Sequence, residues 1–244
     1  MTLELRGVTK RFVDGPETIV VLDEVTLRVA AGTAVAVLAP PGSGKSTLAR
    51  IAAGRLAPDA GSVHVGDVDP YRLSRRRRAQ FLRRTVGYLP PDPHLDPLLT
   101  GAGNVALALE LAGCSRREAR RRAGEVLDRL DAGHLAGRLP AAMRRTERAR
   151  VVLARAMAAD PSLVVADDPA NGLADEAARA FVEALVGVAA QGPAVLLATH
   201  DPVLATSADE VVLLRHGSLE REPGRPGTPV RPTPTEPIPG EVVS

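Results

Sequence analysis

Residues 38–54, LAPPGSGKSTLARIAAG, set a glycine-rich turn carrying a lysine between an apolar run and a helical pattern. Residues 34–38 are unbroken apolar sequence, as suits a strand buried on both faces of a parallel sheet. Leu48, Ile51 and Ala52 then recur at helical spacing. Strand, turn and helix in this order form a phosphate cradle. Gly42 and Gly44 let successive backbone N–H groups point inward, Lys45 adds a point charge near the β- and γ-phosphates, and Ser46 offers a hydroxyl to Mg²⁺. The competing reading is a Gly/Ser loop with a chance lysine. Against it, the only lysines are Lys10 and Lys45, and a chain that otherwise uses arginine keeps an ammonium where it differs from a planar guanidinium. The pattern G-x-x-x-x-G-K-[ST] begins with glycine where this chain has Ala39. An unusual backbone conformation there would cost about 1 kcal/mol.

The 244 residues suffice for one large domain or two small ones. Hydrophobic content is 45% but there is no Trp, with two Tyr and three Phe, so stacking platforms for nucleic-acid bases are not expected. Formal net charge is +2, which gives no large electrostatic field. Cys114 is the only cysteine, which excludes an intrachain disulfide and a thiolate metal cluster. The opening MTLELRGVTKRF lacks a signal-peptide core and no apolar run approaches the ~20 residues of a membrane helix, so a cytoplasmic protein is expected.

Alternation predicts strands at Leu3–Leu5 and Val25–Val29, and 61–70 reads as a short strand with a turn. An arginine-rich helix is expected over 73–84, then a strand at TVGYL ending before Pro90. Residues 104–130 are helical in pattern, broken at Gly113 with Ser115 as N-cap. Helices are expected from Thr146 and from about Asp175, with buried strands at 162–166 and 194–198. From Pro223 the chain is Pro-rich and reads as a disordered tail over 222–244, or alternatively as a ligand for a Pro-recognition domain. Two further strands end on chemistry: LVVADDP on Asp167 and Asp168, and LLATHDP on His200. With a phosphate loop upstream, such acids are expected to hold Mg²⁺ and polarise an attacking water, and the histidine to contact the γ-phosphate; the competing readings are a solvated turn and a structural histidine.

The order of Phe12, PPGSGKST, VGYL, ARVVLARAM, LVVADDPANGL and ATHD resembles the nucleotide-binding subunit of an ABC transporter, and is similar to the small ATPases of the lipoprotein-release and macrolide-export type. The resemblance covers residues 2–221. It implies an α/β P-loop NTPase fold: a RecA-like core, an antiparallel β-subdomain and a helical subdomain near 93–150. It implies ATP and Mg²⁺ as cofactors, with nucleotide held by Phe12 (stacked on adenine), Pro41, Gly42, Ser43, Gly44, Lys45, Ser46 and Thr47. Ser46 and Asp167 would hold the metal, and Asp168 and His200 would be catalytic. The implied partners are an integral-membrane permease and a second ATPase subunit, identical or homologous, with no nucleic acid. The implied location is cytoplasmic, on the inner face of the cell membrane through the permease.

Four further motifs depart from the family pattern. The Q-loop glutamine falls on Pro91, and the signature L-S-G-G-Q/E falls on Met143, Arg144, Arg145, Thr146 and Glu147. The catalytic glutamate is Asp168, one methylene shorter, and the D-loop aspartate falls on Ala174, with Asp175 one place later. Residues that hold nucleotide are kept and those that couple hydrolysis are altered. The expectation is an ATP-binding transport subunit with slow or impaired hydrolysis. The alternatives are a fully active transport ATPase and a nucleotide-binding regulator or scaffold.

Overall fold

The computed structural model describes residues 2–92 and 94–221; the Pro-rich segment expected to be a tail lies outside the described residues. At its centre is a six-stranded sheet built from β3 (Ala34–Leu38), β5 (Val86–Leu89), β6 (Leu163–Asp167), β7 (Ala194–Thr199), β8 (Glu210–Arg215) and β9 (Ser218–Arg221). The strand order is β5-β6-β7-β3-β8-β9, parallel throughout except for β9. Strands β6 and β7 are buried at every position, as suits apolar runs covered on both faces, and each ends on a buried polar residue, Asp167 and Thr199. A three-stranded antiparallel sheet, β2-β1-β4, lies on one side, made of β1 (Leu3–Asp14), β2 (Glu17–Val29) and β4 (Ala60–Val65). Helix α1 (Lys45–Ala52) fills the space between the sheets, and Leu48, Ile51 and Ala52 are fully buried there with Val37, Val63 and Leu196.

The other face of the parallel sheet is covered by helices. There α3 (Gly101–Leu111) and α4 (Arg116–Arg129) pack together, and α5 (Arg145–Met157) and α6 (Asp175–Gly187) lie against the sheet, while α2 (Arg75–Thr85), which leads into β5, packs on the α1 side through Phe81. A short α7 (Pro202–Ala205) follows β7. The break at Gly113 and the cap at Ser115 fall where the sequence puts them, with the Ser115 hydroxyl accepting from the Glu118 N–H at 3.3 Å. Helix α5 runs unbroken through residue 150, where the sequence places the end of the helical subdomain, and its apolar side shares one core with α3, α4 and the sheet.

The fold class is the expected α/β P-loop arrangement. The first two strands are longer than expected, forming a hairpin over 3–29. Their outer ends, residues 11–20, are exposed on both faces, so no apolar alternation marks them. Among the described residues, no helix is long and apolar enough to cross a membrane.

Candidate functional site

Three strand ends meet at one edge of the parallel sheet. The register pairs Leu38 of β3 with Thr199 of β7, and Ala198 of β7 with Asp167 of β6, so the residues just beyond each strand become neighbours. Ligands of open parallel sheets sit at this carboxyl edge. Two cross-connections fix the spacing: the Ala39 N–H donates to Thr199 O at 3.1 Å and the Asp168 N–H to Ala198 O at 2.8 Å. Ala39 lies outside the left-handed region and is buried, so the expected strain at this position is absent.

Glycine is required at position 44 for two separate reasons. Its φ is +93°, and a Cβ there would lie 2.8 Å from both Val21 Cγ1 and Val21 O. That close approach starts α1 at Lys45, which places the first-turn N–H groups and the positive end of the helix at the loop. A concavity of about 690 Å³ beside it is lined by Ile19–Val21, Pro40–Ser43 and Leu214–Gly217. Phe12 is paired with Ile19 in the hairpin, exposed, and 5.5 Å from the Lys10 ammonium; it is not among the lining residues. His216 and Gly217, on the β8–β9 turn, line the concavity without having been expected there. Their only mark in the sequence is a turn.

The charged groups form one network. The Lys45 ammonium, almost fully buried, bonds to Asp168 Oδ2. Asp168 Oδ1 accepts from the His200 N–H at 3.1 Å and lies 3.0 Å from His200 Nδ1. Asp168 has φ +43°, a conformation that Asp and Asn adopt more readily than longer side chains. The Ser46 hydroxyl donates to Asp167 Oδ1 at 2.9 Å, while Asp167 Oδ2 is buried with no hydrogen-bond partner. An orphaned carboxylate oxygen beside a serine hydroxyl is a donor set that fits a hard divalent cation.

The two acids titrate in opposite senses. Burial pushes the Asp167 carboxyl above its ordinary value, against the Ser46 hydrogen bond and the Lys45 charge. Burial also pushes Asp168 up, but the hydrogen bonds from Lys45 and His200 outweigh it, and Asp168 lies below its ordinary value. The stability due to Asp168 is complete above the unfolded value of about 3.9 and is lost as pH falls through the lowered folded value. Asp167 costs stability above its raised folded value, and the cost is relieved as pH falls through it. Replacing Asp167 with Asn removes a buried, half-satisfied charge. We expect the melting temperature of the nucleotide-free protein to rise about 2–4 °C, for roughly 1 kcal/mol, in a calorimetric scan at neutral pH.

The altered signature positions have definite places. Met143 is buried, and Arg144 is exposed at the N-cap of α5. Arg145 turns back within its own chain: its guanidinium donates to Asn171 O at 3.0 Å and fills the space beside Gly172 (φ +72°). Glu147 accepts from the Arg144 N–H at 2.7 Å and pairs with Arg138 at 3.1 Å, so the positive end of α5 already carries a carboxylate. Pro91 follows β5 without a backbone N–H, and Ala174 is the N-cap of α6 without a side-chain bond. The Arg145–Asn171 contact could not be foreseen, because nothing in either stretch marks the other.

A glycine-rich loop at a helix N-terminus, facing a lysine, a serine and two strand-end acids, defines a P-loop nucleotide-binding protein. Residues 22–171 match the family described as ABC transporter, and the chain belongs to that family as an ATP-binding member. It is 39% identical over 218 residues to the lipoprotein-releasing system ATP-binding protein LolD of Gluconobacter oxydans, covering 89% of this chain and 94% of the relative. It is 40% identical over 219 residues to LolD 2 of Caulobacter vibrioides, covering 89% and 96%. Among solved structures it is similar to the dimeric bacterial ABC transporter cassette MJ0796, with TM-score 0.81 and 29% identity over 90% of this chain and 97% of the other. A post-hydrolysis dimer of MJ0796 bound to ADP and Pi also gives 0.81, at 28% identity over 91% and 100%.

Proposed function

We propose that this chain is the ATP-binding subunit of an export complex of the lipoprotein-releasing type, working as a dimer on the inner face of the cell membrane beneath an integral-membrane permease, with slow ATP hydrolysis. One observation carries the reading: Lys45, Ser46, Asp167, Asp168 and His200, distant in sequence, share a network at one strand edge. The LolD relatives, matched over almost their whole length, support the transport setting.

In this reading residues 1–221 form one nucleotide-binding domain with its helical subdomain near 93–150. The loop Pro41–Gly44 wraps the phosphates with backbone N–H groups, Lys45 neutralises the β- and γ-phosphates, and Thr47 adds a hydroxyl at the helix start. Ser46 and Asp167 hold Mg²⁺, which screens phosphate charge when bound. Phe12 and its cross-strand neighbour Ile19 give the adenine an apolar wall. Phosphate binding draws Lys45 away from Asp168, and the freed Oδ2 is then the acceptor for the attacking water's proton. His200 keeps Asp168 Oδ1 oriented and reaches the γ-phosphate.

Three features support slow turnover. Asp168 is short and held from two sides, so its carboxylate is set back from where a glutamate would reach. The end of α5, which would cap the partner's γ-phosphate, carries Arg144 and Arg145 instead of small residues. Pro91 offers no side-chain ligand.

The test of the whole reading is a tagged full-length chain isolated from its native membrane. It should carry an integral-membrane permease and bind ATP with Mg²⁺; isolation without any membrane protein would favour a regulator or scaffold. A variant with Arg144→Ser and Arg145→Gly should shift the ATP-bound protein toward dimer by about tenfold in association constant, read by light scattering. That gain follows from removing two bulky side chains that hold the helix end away from phosphate, which outweighs the loss of their attractive charge.

A further inference from the structure

The chain carries a formal net charge of only +2, yet α2 holds six arginines and no acid in its eleven residues. Several arginines elsewhere are paired: Arg121 with Glu118 and Glu125, Arg122 and Arg129 with Asp160, and Arg138 with Glu147. On the α2 face, Arg55, Arg75, Arg78 and Arg83 line a shared concavity of about 570 Å³, and no ion pair ties any of them among the described residues. Two rest on aromatic rings, Arg55 at 4.5 Å from the Tyr88 centroid and Arg78 at 5.8 Å from that of Tyr71, contacts that orient a guanidinium without neutralising it. In the adjoining groove, Arg155 is held below its ordinary value by burial and then by the Arg55 charge. Like charges gathered this way favour an external anion.

That anion is not the bound nucleotide. The patch begins at Ala53–Arg55, past the far end of α1 from the P-loop, and eight residues of helix separate the two by about 12 Å. Guanidinium forks match phosphate oxygens in pairs, and clusters of roughly four to eight basic residues on a helix are the recognised footprint of anionic headgroups. We infer that the arginine-lined face formed by α2 and Arg55 binds the phosphate headgroups of an anionic lipid bilayer. The inference rests on the proposed place of the chain beneath a membrane and adds a direct lipid contact to the one made through the permease.

The experiment is cosedimentation of the full-length chain with vesicles of phosphatidylcholine, alone or mixed two to one with phosphatidylglycerol. Neither permease nor nucleotide is present, so a failure bears on the patch and leaves the ATP-binding reading intact. Wild type should bind the mixed vesicles only and be released toward ~1 M salt, where the Debye length is about 3 Å. The triple variant Arg75→Gln, Arg78→Gln, Arg83→Gln should bind roughly 100-fold less, at about fivefold for each arginine. The double variant Arg75→Gln, Arg83→Gln spares the Arg78–Tyr71 contact and should lose about 25-fold. Arg116→Gln, Arg117→Gln, Arg120→Gln removes equal charge from α4 and should bind as wild type. Equal loss in both triple variants would overturn the inference by showing general charge attraction. Absence of vesicle binding, or equal binding to neutral vesicles, would overturn it as well and leave the patch to an acidic protein segment.

Discussion

Replacing Asp168 with Glu is expected to raise the steady-state rate of Mg²⁺-ATP hydrolysis about 100-fold over wild type. The added methylene moves the carboxylate by about 1 Å, and a positioned catalytic group misplaced by that distance costs on the order of 100-fold. Both oxygens of Asp168 are engaged, Oδ2 by Lys45 and Oδ1 by His200, which fixes the short side chain near the loop. A glutamate in the same place reaches past that pair toward the γ-phosphate. The φ of +43° sets a limit on the gain, because a longer side chain tolerates the left-handed region less well than Asp. We therefore expect a melting temperature lower by a few degrees together with the faster rate, about 1 kcal/mol of backbone strain. A rate unchanged or reduced by the substitution would show that the length of the acid is not limiting.

Lys45→Ala is expected to weaken ATP binding about 100-fold, measured by equilibrium titration. Losing a charge-assisted contact to phosphate costs several times RT, and the other lysine, Lys10, is paired with Asp59. The variant also removes the buried partner of Asp168. Because His200 still holds Oδ1 and the Asp168 side chain keeps 15% of its exposure, the cost falls below that of a fully buried broken pair: about 2 kcal/mol, or a melting point lower by roughly 4–8 °C. Lys45→Arg should not restore affinity, since a planar guanidinium does not fit a space shaped for an ammonium.

The phosphate loop was legible because strand, turn and helix lie within residues 34–52, each with its own local signal. Asp167, Asp168 and His200 were legible as candidates because each follows an apolar strand. What brings them together, the parallel register that sets Leu38 by Thr199 and Asp167 by Ala198, leaves no trace in a single sequence. The Lys45–Asp168 bond spans 123 residues and the Arg145–Asn171 contact 26, and nothing local distinguishes either pair from solvated neighbours. At Ala39 the sequence left open whether the missing glycine carries a cost, and the ordinary backbone there shows that it carries none. The cross-strand pairing of Phe12 with Ile19, which sets Ile19 on the concavity and Phe12 beside Lys10, is likewise unmarked in either stretch.

The central claim is that this site holds ATP firmly and hydrolyses it slowly. The most direct measurement is ATP binding and multiple-turnover hydrolysis by the purified chain with Mg²⁺, side by side with Lys45→Ala. The account predicts clear ATP binding by wild type, lost in the variant, with a wild-type turnover no faster than the variant's residual rate. Brisk wild-type turnover would contradict it and would make Asp168, Arg144 and Arg145 parts of a working alternative site.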